Sequence, residues 1–256
     1  MKKFKIAIVF FGQVRGIEFF DYYKKLENNI ENTEIDFFIS TWDDFEYTQD
    51  WLNNFTGASI KKVSPEFTRW EEKVMFHIVN SNKLKCKYEN KNNFKYECVL
   101  MTRPDILLDY KTTIPNIINF INKNENLLMI RGKVHKCKCG CKCYITGHDV
   151  VYYSTSCIID LFCDNVKNLL NESQKFNPRP PSFIHGGHTL FGDIIGKMKI
   201  GWKMWDSSTE IRYHLYRQEY DRIPFIDNIH LPFEEMVNII NIYRRRFDYF
   251  KDGAAH

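Results

Sequence analysis

Arg103 and Asp105 flank a proline and follow the apolar run Cys98-Val99-Leu100-Met101 and Thr102. An uninterrupted apolar run of this length, followed by a second from Ile106 to Leu108, predicts a buried parallel strand covered by helices on both faces. Pro104 has no N–H for a ladder and biases Arg103 toward an extended backbone, so the strand is expected to end there. One guanidinium and one carboxylate would then stand at the carboxyl end of a central strand, where open α/β sheets bind ligands.

Four further groups of residues could take part in chemistry. Gly12-Gln13-Val14-Arg15-Gly16 joins an apolar run to an amphipathic helix. Its amides, with the helix amino end, suit a phosphate or nucleotide; the alternative is a tight turn with Arg15 in solvent. Thr41-Trp42-Asp43-Asp44 closes a second apolar run and suits a base and ribose, or Asp43 or Asp44 caps the next turn. Asp149 opens an otherwise apolar strand and needs a partner or solvent, which makes it a catalytic or acceptor-binding candidate. His188 falls at a helix amino end, as cap or catalyst.

Cys137, Cys139, Cys141 and Cys143 alternate with lysine and glycine in a segment expected to turn near Gly140. Four gathered thiols would suit structural zinc, although zinc pairs are commonly spaced two to four apart rather than one. The competing expectation is a surface hairpin of free thiols.

These residues need a scaffold, and the apolar pattern supplies one. Strands are expected over residues 6–11, 35–40, 98–101, 127–130, 150–153 and 202–206. Helices are expected after Gly16, from Ser64-Pro65, from Thr113-Pro115, after Ser154-Thr155-Ser156, near Leu190 and from Pro232. The second of these buries Trp70, Val74, Met75 and Ile78, with His77 beside the stripe, and gives way to a polar connection over 83–95. Strand and helix alternate with short connections, which predicts a mainly parallel α/β sheet with right-handed crossovers. The expected division is one domain over 1–232 and a closing helix and tail over 233–256, with Arg244, Arg245 and Arg246 on a solvated face.

Composition narrows the function classes. The 256 residues carry a net charge of +4, with Lys+Arg 36 and Asp+Glu 32 interspersed, which argues against a nucleic-acid partner. Hydrophobic residues at 44% and aromatics at 16% fit a packed core. No apolar run approaches the ~18 residues of a transmembrane helix. The start, Met1-Lys2-Lys3-Phe4-Lys5, predicts a first strand rather than a signal peptide, so a cytoplasmic location with reduced thiols is expected.

The first strand with GQVRG, the second with ISTWDD, VLMTRPDILL, GHDVVYYSTS and GGHTLFGDIIGKMKI together resemble a glycosyltransferase of the GT-A fold. More narrowly, they resemble small transferase-like proteins of bacteria and large DNA viruses with an Arg-Pro-Asp motif; a viral protein would act in the host cytoplasm. The resemblance runs from about Lys5 to Trp205. It implies a GT-A-like (Rossmann-like), mostly parallel sheet flanked by helices, in a single domain with a cysteine-rich hairpin insertion. It implies transfer from a nucleotide-sugar donor to a glycan, protein or small-molecule hydroxyl. The donor would be held by Gly12, Gln13, Arg15, Thr41, Trp42, Asp43, Arg103 and Asp105. Family members commonly carry Asp-x-Asp where this chain has Arg103-Pro104-Asp105. The resemblance therefore implies Mn2+ or Mg2+ on Asp105 with fewer carboxylates than usual, and Arg103 in place of the first acid. Asp149, His188 and Asp193 are the implied candidates for the base. A catalytically weak nucleotide- or sugar-binding protein on the same fold, and a zinc-binding adaptor, are the alternatives.

Overall fold

Strand β1 (Phe4–Phe11) serves two cores at once, as a central strand must. Ile6, Ile8 and Phe10 point into one core, and Ala7, Val9 and Phe11 into the other. All six are fully buried, so neither face tolerates a polar residue and the sequence shows no alternation. A computed structural model describes residues 3–16, 18–25, 30, 32–43, 46–62, 70–135, 144–175, 201–205, 213–215 and 231–242.

The chain continues through α1 (Phe19–Lys24), β2 (Thr33–Trp42), α2 (Gln49–Leu52), β3 (Gly57–Lys61), α3 (Trp70–Asn92) and β4 (Cys98–Thr102). After β5 (Ile106–Leu108) come α4 (Tyr110–Lys123), β6 (Leu127–His135), β7 (Tyr144–Ser154), α5 (Ser156–Lys175), β8 (Gly201–Trp205) and β9 (Tyr213–Leu215). A last described helix, α6, covers 233–242. Among the described residues the main sheet has seven strands in the order β3-β2-β1-β4-β7-β6-β8. Parallel pairing holds at β2–β3, β1–β2, β1–β4 and β6–β8, whereas β7 runs antiparallel to both its neighbours. The mostly parallel, helix-flanked sheet expected from the sequence is therefore present, with one reversed strand.

Helices cover both faces. Phe19, Phe20, Tyr22 and Tyr23 of α1, Ile114, Ile117 and Ile121 of α4, and Met236 and Ile240 of α6 belong to the first core. On the other face α3 contributes Met75, Ile78 and Val79, while α5 contributes Ile159, Phe162 and Val166. The chain winds outward from β1 through β2 to β3, then returns to place β4 on the other side of β1. The crevice between the carboxyl ends of β1 and β4 is thus a topological switch point, where the strand order reverses.

Several sequence expectations change. Residues 83–92, expected as a polar connection, continue α3. Their helical stripe is polar: Lys85 and Glu89 are buried, paired with each other, and satisfied on α5 by Asp160 and Ser156. An apolar period does not detect such a face. Helix α4 begins at Tyr110 rather than at Thr113, and Pro115 lies inside it. The start is set by Asp109, whose carbonyl accepts from the Thr113 amide at 2.8 Å and whose carboxylate accepts from Thr112 Oγ1 at 2.8 Å. β6 and β7 extend well beyond their short apolar cores and pair as far as His135 and Tyr144. No helix among the described residues is long and apolar enough to cross a membrane.

Candidate functional site

Gly12 ends β1 with φ +98°, a backbone conformation that side chains with a Cβ rarely adopt. Its amide donates to the Ser40 carbonyl at 3.1 Å, so the loop leaves the sheet edge while still tied to β2. The turn carries Arg15 across the switch-point crevice toward the end of β4. There Arg15 Nε meets Asp105 Oδ2 at 3.2 Å.

Arg103 approaches the same carboxylate from its own strand end. Its Nε donates to Asp105 Oδ1 at 2.8 Å and its Nη2 donates to Oδ2 at 2.5 Å. The pair is a fork on a carboxylate, the geometry for which a guanidinium is suited and an ammonium is not. Asp105 is 2% exposed, against 26% for Arg103 and 45% for Arg15. The carboxylate is therefore the buried base of the arrangement and the two cations are its outward surface.

The segment behind Asp105 is anchored to α1. Tyr23 Oη donates to the Ile106 carbonyl at 2.6 Å and Tyr22 Oη donates to the Leu108 carbonyl at 2.5 Å. Burial pushes the Tyr23 phenol well above its ordinary range, with the Asp105 charge acting in the same direction, so it remains a donor. The same helix that follows the Gly12 loop thus holds the strand that follows Asp105.

Arg15, Arg103 and Asp105 line a cavity of about 300 Å³ together with Gly12, Gln13 and Lys73. Its apolar and aromatic walls are Phe11, Trp42, Trp70 and Val74. Trp42 is held from behind, stacked on Phe76 at 5.7 Å and edge-on to His77 at 4.1 Å between ring centroids. His77 is buried with Nδ1 at 2.8 Å from Ser40 Oγ, and burial lowers its pKa to about 3. It is a neutral packing residue beneath the cavity wall.

Of the residues singled out in the sequence, Gly12, Gln13, Arg15, Trp42, Arg103 and Asp105 come together at this crevice. Thr41 does not line it; it is buried, with Oγ1 at 3.2 Å from Tyr47 Oη. Asp43 is exposed, and its amide donates to the Lys61 carbonyl at 3.0 Å. Asp149 lies in β7, two residues before Val151, which pairs with Thr102. Its backbone is thereby carried past the end of β4 to the same edge of the sheet. His188, Asp193, Cys137, Cys139, Cys141 and Cys143 lie outside the described residues. Sequence reasoning missed Lys73, and assigned Trp70 to a buried face although it is 47% exposed. The available signal was spacing: Trp70, Lys73 and Val74 share one face of the first turn of α3, and in a parallel α/β sheet a helix begins at the strands' carboxyl edge.

A divalent cation of the Mg2+ or Mn2+ kind needs several oxygen ligands. Asp105 is the one carboxylate among the described lining residues, and guanidinium groups engage both of its oxygens. These residues do not fit such a cation. Elsewhere, Cys86, Glu89 and Asp160 bring three potential ligand atoms within 4.8 Å of one another. That group is shared with Lys85 and Lys95, whose ammonium groups contact both carboxylates at 2.8–3.1 Å. Burial chiefly pushes the Cys86 thiol up to about 12, so it is protonated at neutral pH. The cluster is a balanced ion-pair network between α3 and α5.

No protein-family model matches the sequence, and no curated protein matches it. Among solved structures the chain is similar to the crystal structure of a glycosyltransferase involved in the glycosylation of the major capsid of PBCV-1. The TM-score is 0.40 at 9% sequence identity, over 79% of this chain and 81% of that chain. A likeness of that degree carries no inference about what this chain binds or transfers.

Proposed function

We propose that the chain is a nucleotide-sugar glycosyltransferase whose donor lies in the crevice between β1 and β4. The observation that carries this reading is the cavity at the topological switch point, with three cationic side chains, one buried carboxylate and two tryptophans. Cations suit the donor's diphosphate, and Trp42 and Trp70 suit a flat base. A volume of about 300 Å³ is at the small end of ligand pockets.

In the reaction, an oxygen–carbon bond forms between the acceptor hydroxyl and the anomeric carbon. The bond from that carbon to the diphosphate oxygen breaks, with its electron pair leaving on the diphosphate. Arg15, Lys73 and Arg103 would neutralise the charge that grows there, the largest electrostatic demand of the step. The hydroxyl proton passes to a base, for which Asp149, His188 and Asp193 are the candidates. The acceptor is a glycan, a protein or a small molecule. A cytoplasmic setting agrees with free thiols at Cys86, Cys98, Cys157 and Cys163.

One observation favours a second reading, a nucleotide- or sugar-binding protein without turnover. Asp105, the single carboxylate among the described lining residues, is engaged by two guanidinium groups and is not placed to accept a proton. A panel of UDP-, GDP- and CMP-sugars separates the two. Transfer predicts a rise in melting temperature with one donor class together with slow release of its sugar; stabilisation without sugar release selects the binding protein. If no donor shifts the melting temperature or is hydrolysed, both readings are wrong.

A further inference from the structure

We infer that the crevice holds the diphosphate of its ligand without a divalent cation, and that Asp105 is a positioning residue for Arg15 and Arg103 rather than a metal ligand. This rests on the nucleotide-sugar reading and specifies the chemistry of its donor site.

The argument begins with the carboxylate. Asp105 is 2% exposed, and its two oxygens accept from Arg103 Nε at 2.8 Å and Nη2 at 2.5 Å and face Arg15 Nε at 3.2 Å. A metal ion would have to displace guanidinium groups from both oxygens and then remain beside the two positive charges it had displaced. It would also find no second carboxylate among the described lining residues. Hard divalent cations depend on several such oxygens.

The charge that a metal would supply is already present. Arg15, Lys73 and Arg103 line the cavity against the single charge of Asp105, so its described walls are net cationic. A diphosphate is the complementary ligand. Asp105 also fixes the arginines before the ligand arrives. Long cationic side chains lose rotamer freedom when they clamp an anion, and a buried carboxylate that has already oriented them removes part of that cost. Arg103 is thus a fixed cation at the crevice, held in place by Asp105.

The test is calorimetric titration of pyrophosphate, UDP and GDP into the full chain, in EDTA and again with Mn2+. The expected result is binding of pyrophosphate and of one nucleotide in EDTA that Mn2+ does not tighten, and loss of about tenfold or more in Arg103→Met. Asp105→Asn discriminates further. Removing a negative charge from the site should tighten pyrophosphate binding if only net charge matters; a positioning role predicts that it weakens by about tenfold in EDTA. Thermal melting establishes that each variant is folded. Should Asp105→Asn not fold, Arg103→Lys takes its place, because it keeps the charge but cannot make the fork. Binding that appears only with Mn2+, or Asp105→Asn binding as tightly as the unaltered chain in EDTA, overturns the inference and leaves the glycosyltransferase reading standing. No binding of any probe in either condition overturns both.

Discussion

Arg103 and Asp105 grip each other across Pro104 through two hydrogen bonds, Nε to Oδ1 at 2.8 Å and Nη2 to Oδ2 at 2.5 Å. The proline prevents the strand from continuing and so turns both side chains to one edge of the sheet. Because Asp105 is nearly inaccessible and Arg103 is one-quarter exposed, the pair stabilises the fold and also presents a cation to the crevice.

Removing Arg103 should therefore have a cost in stability as well as in binding. Arg103→Met leaves a buried carboxylate with Arg15 as its described ion-pair partner, 45% exposed. A loss of about 1–3 kcal/mol is expected by urea unfolding. An unchanged midpoint would show that the carboxylate is satisfied without Arg103.

The two tryptophans of the cavity should behave differently. Trp42 is buried and packed between Phe76 and His77, so Trp42→Ala should destabilise by about 3–5 kcal/mol. Trp70 is 47% exposed, and Trp70→Ala should leave the melting temperature nearly unchanged while weakening nucleotide binding by about 1–3 kcal/mol. Equal effects of the two on stability would contradict the assignment of Trp70 to the cavity wall.

His77 predicts an acid-sensitive fold. Burial holds its folded-state pKa at about 3, below its ordinary 6.5, so the unfolded chain takes up the proton first. The contribution is fully present above about pH 6.5 and is lost as pH falls toward 3. Between pH 7 and about 4.5 the loss is on the order of 2–3 kcal/mol. Urea midpoints of the unaltered chain and His77→Gln at both pH values measure it. A pH dependence that is the same in the two proteins would exclude His77 as its source.

The network between α3 and α5 should show strong coupling. Lys85 and Glu89 are fully buried, 3.1 Å apart, and Glu89 also accepts from Ser156 Oγ and the Tyr96 amide. Either Lys85→Met or Glu89→Leu alone leaves the network one charge out of balance, although Glu89 would still face Lys95 and Lys85 would still face Asp160, and should cost about 3 kcal/mol. The double variant should cost clearly less than the two single losses added together, as a thermodynamic cycle on urea unfolding would measure. Strict additivity would mean that the two groups do not act as a pair.

Gly12 isolates backbone strain from packing. A Cβ there would meet no atom within 4 Å, yet φ is +98°. Gly12→Ala should cost about 1–2 kcal/mol from conformation alone, read as a shifted unfolding midpoint. No change would mean that the loop relaxes to negative φ.

The sequence by itself determined the central strands and the chemistry at their ends. Unbroken apolar runs in β1 and β4, and a run interrupted by Asp36 in β2, are local signals that burial on both faces imposes, and Gly12 and Pro104 mark where two of those strands must stop. That much placed Arg15, Trp42, Arg103 and Asp105 at strand ends. Tertiary structure decided which ends meet. Strand order is a long-range property that no window of sequence contains, and it is the return of β4 to the other side of β1 that lets Arg15 reach Asp105. The same holds for Trp70 and Lys73, which become part of a cavity only because α3 begins at that edge. The polar stripe of Lys85 and Glu89 could not be recognised as buried without α5, because the groups there that help satisfy it, Asp160 and Ser156, are distant in the chain.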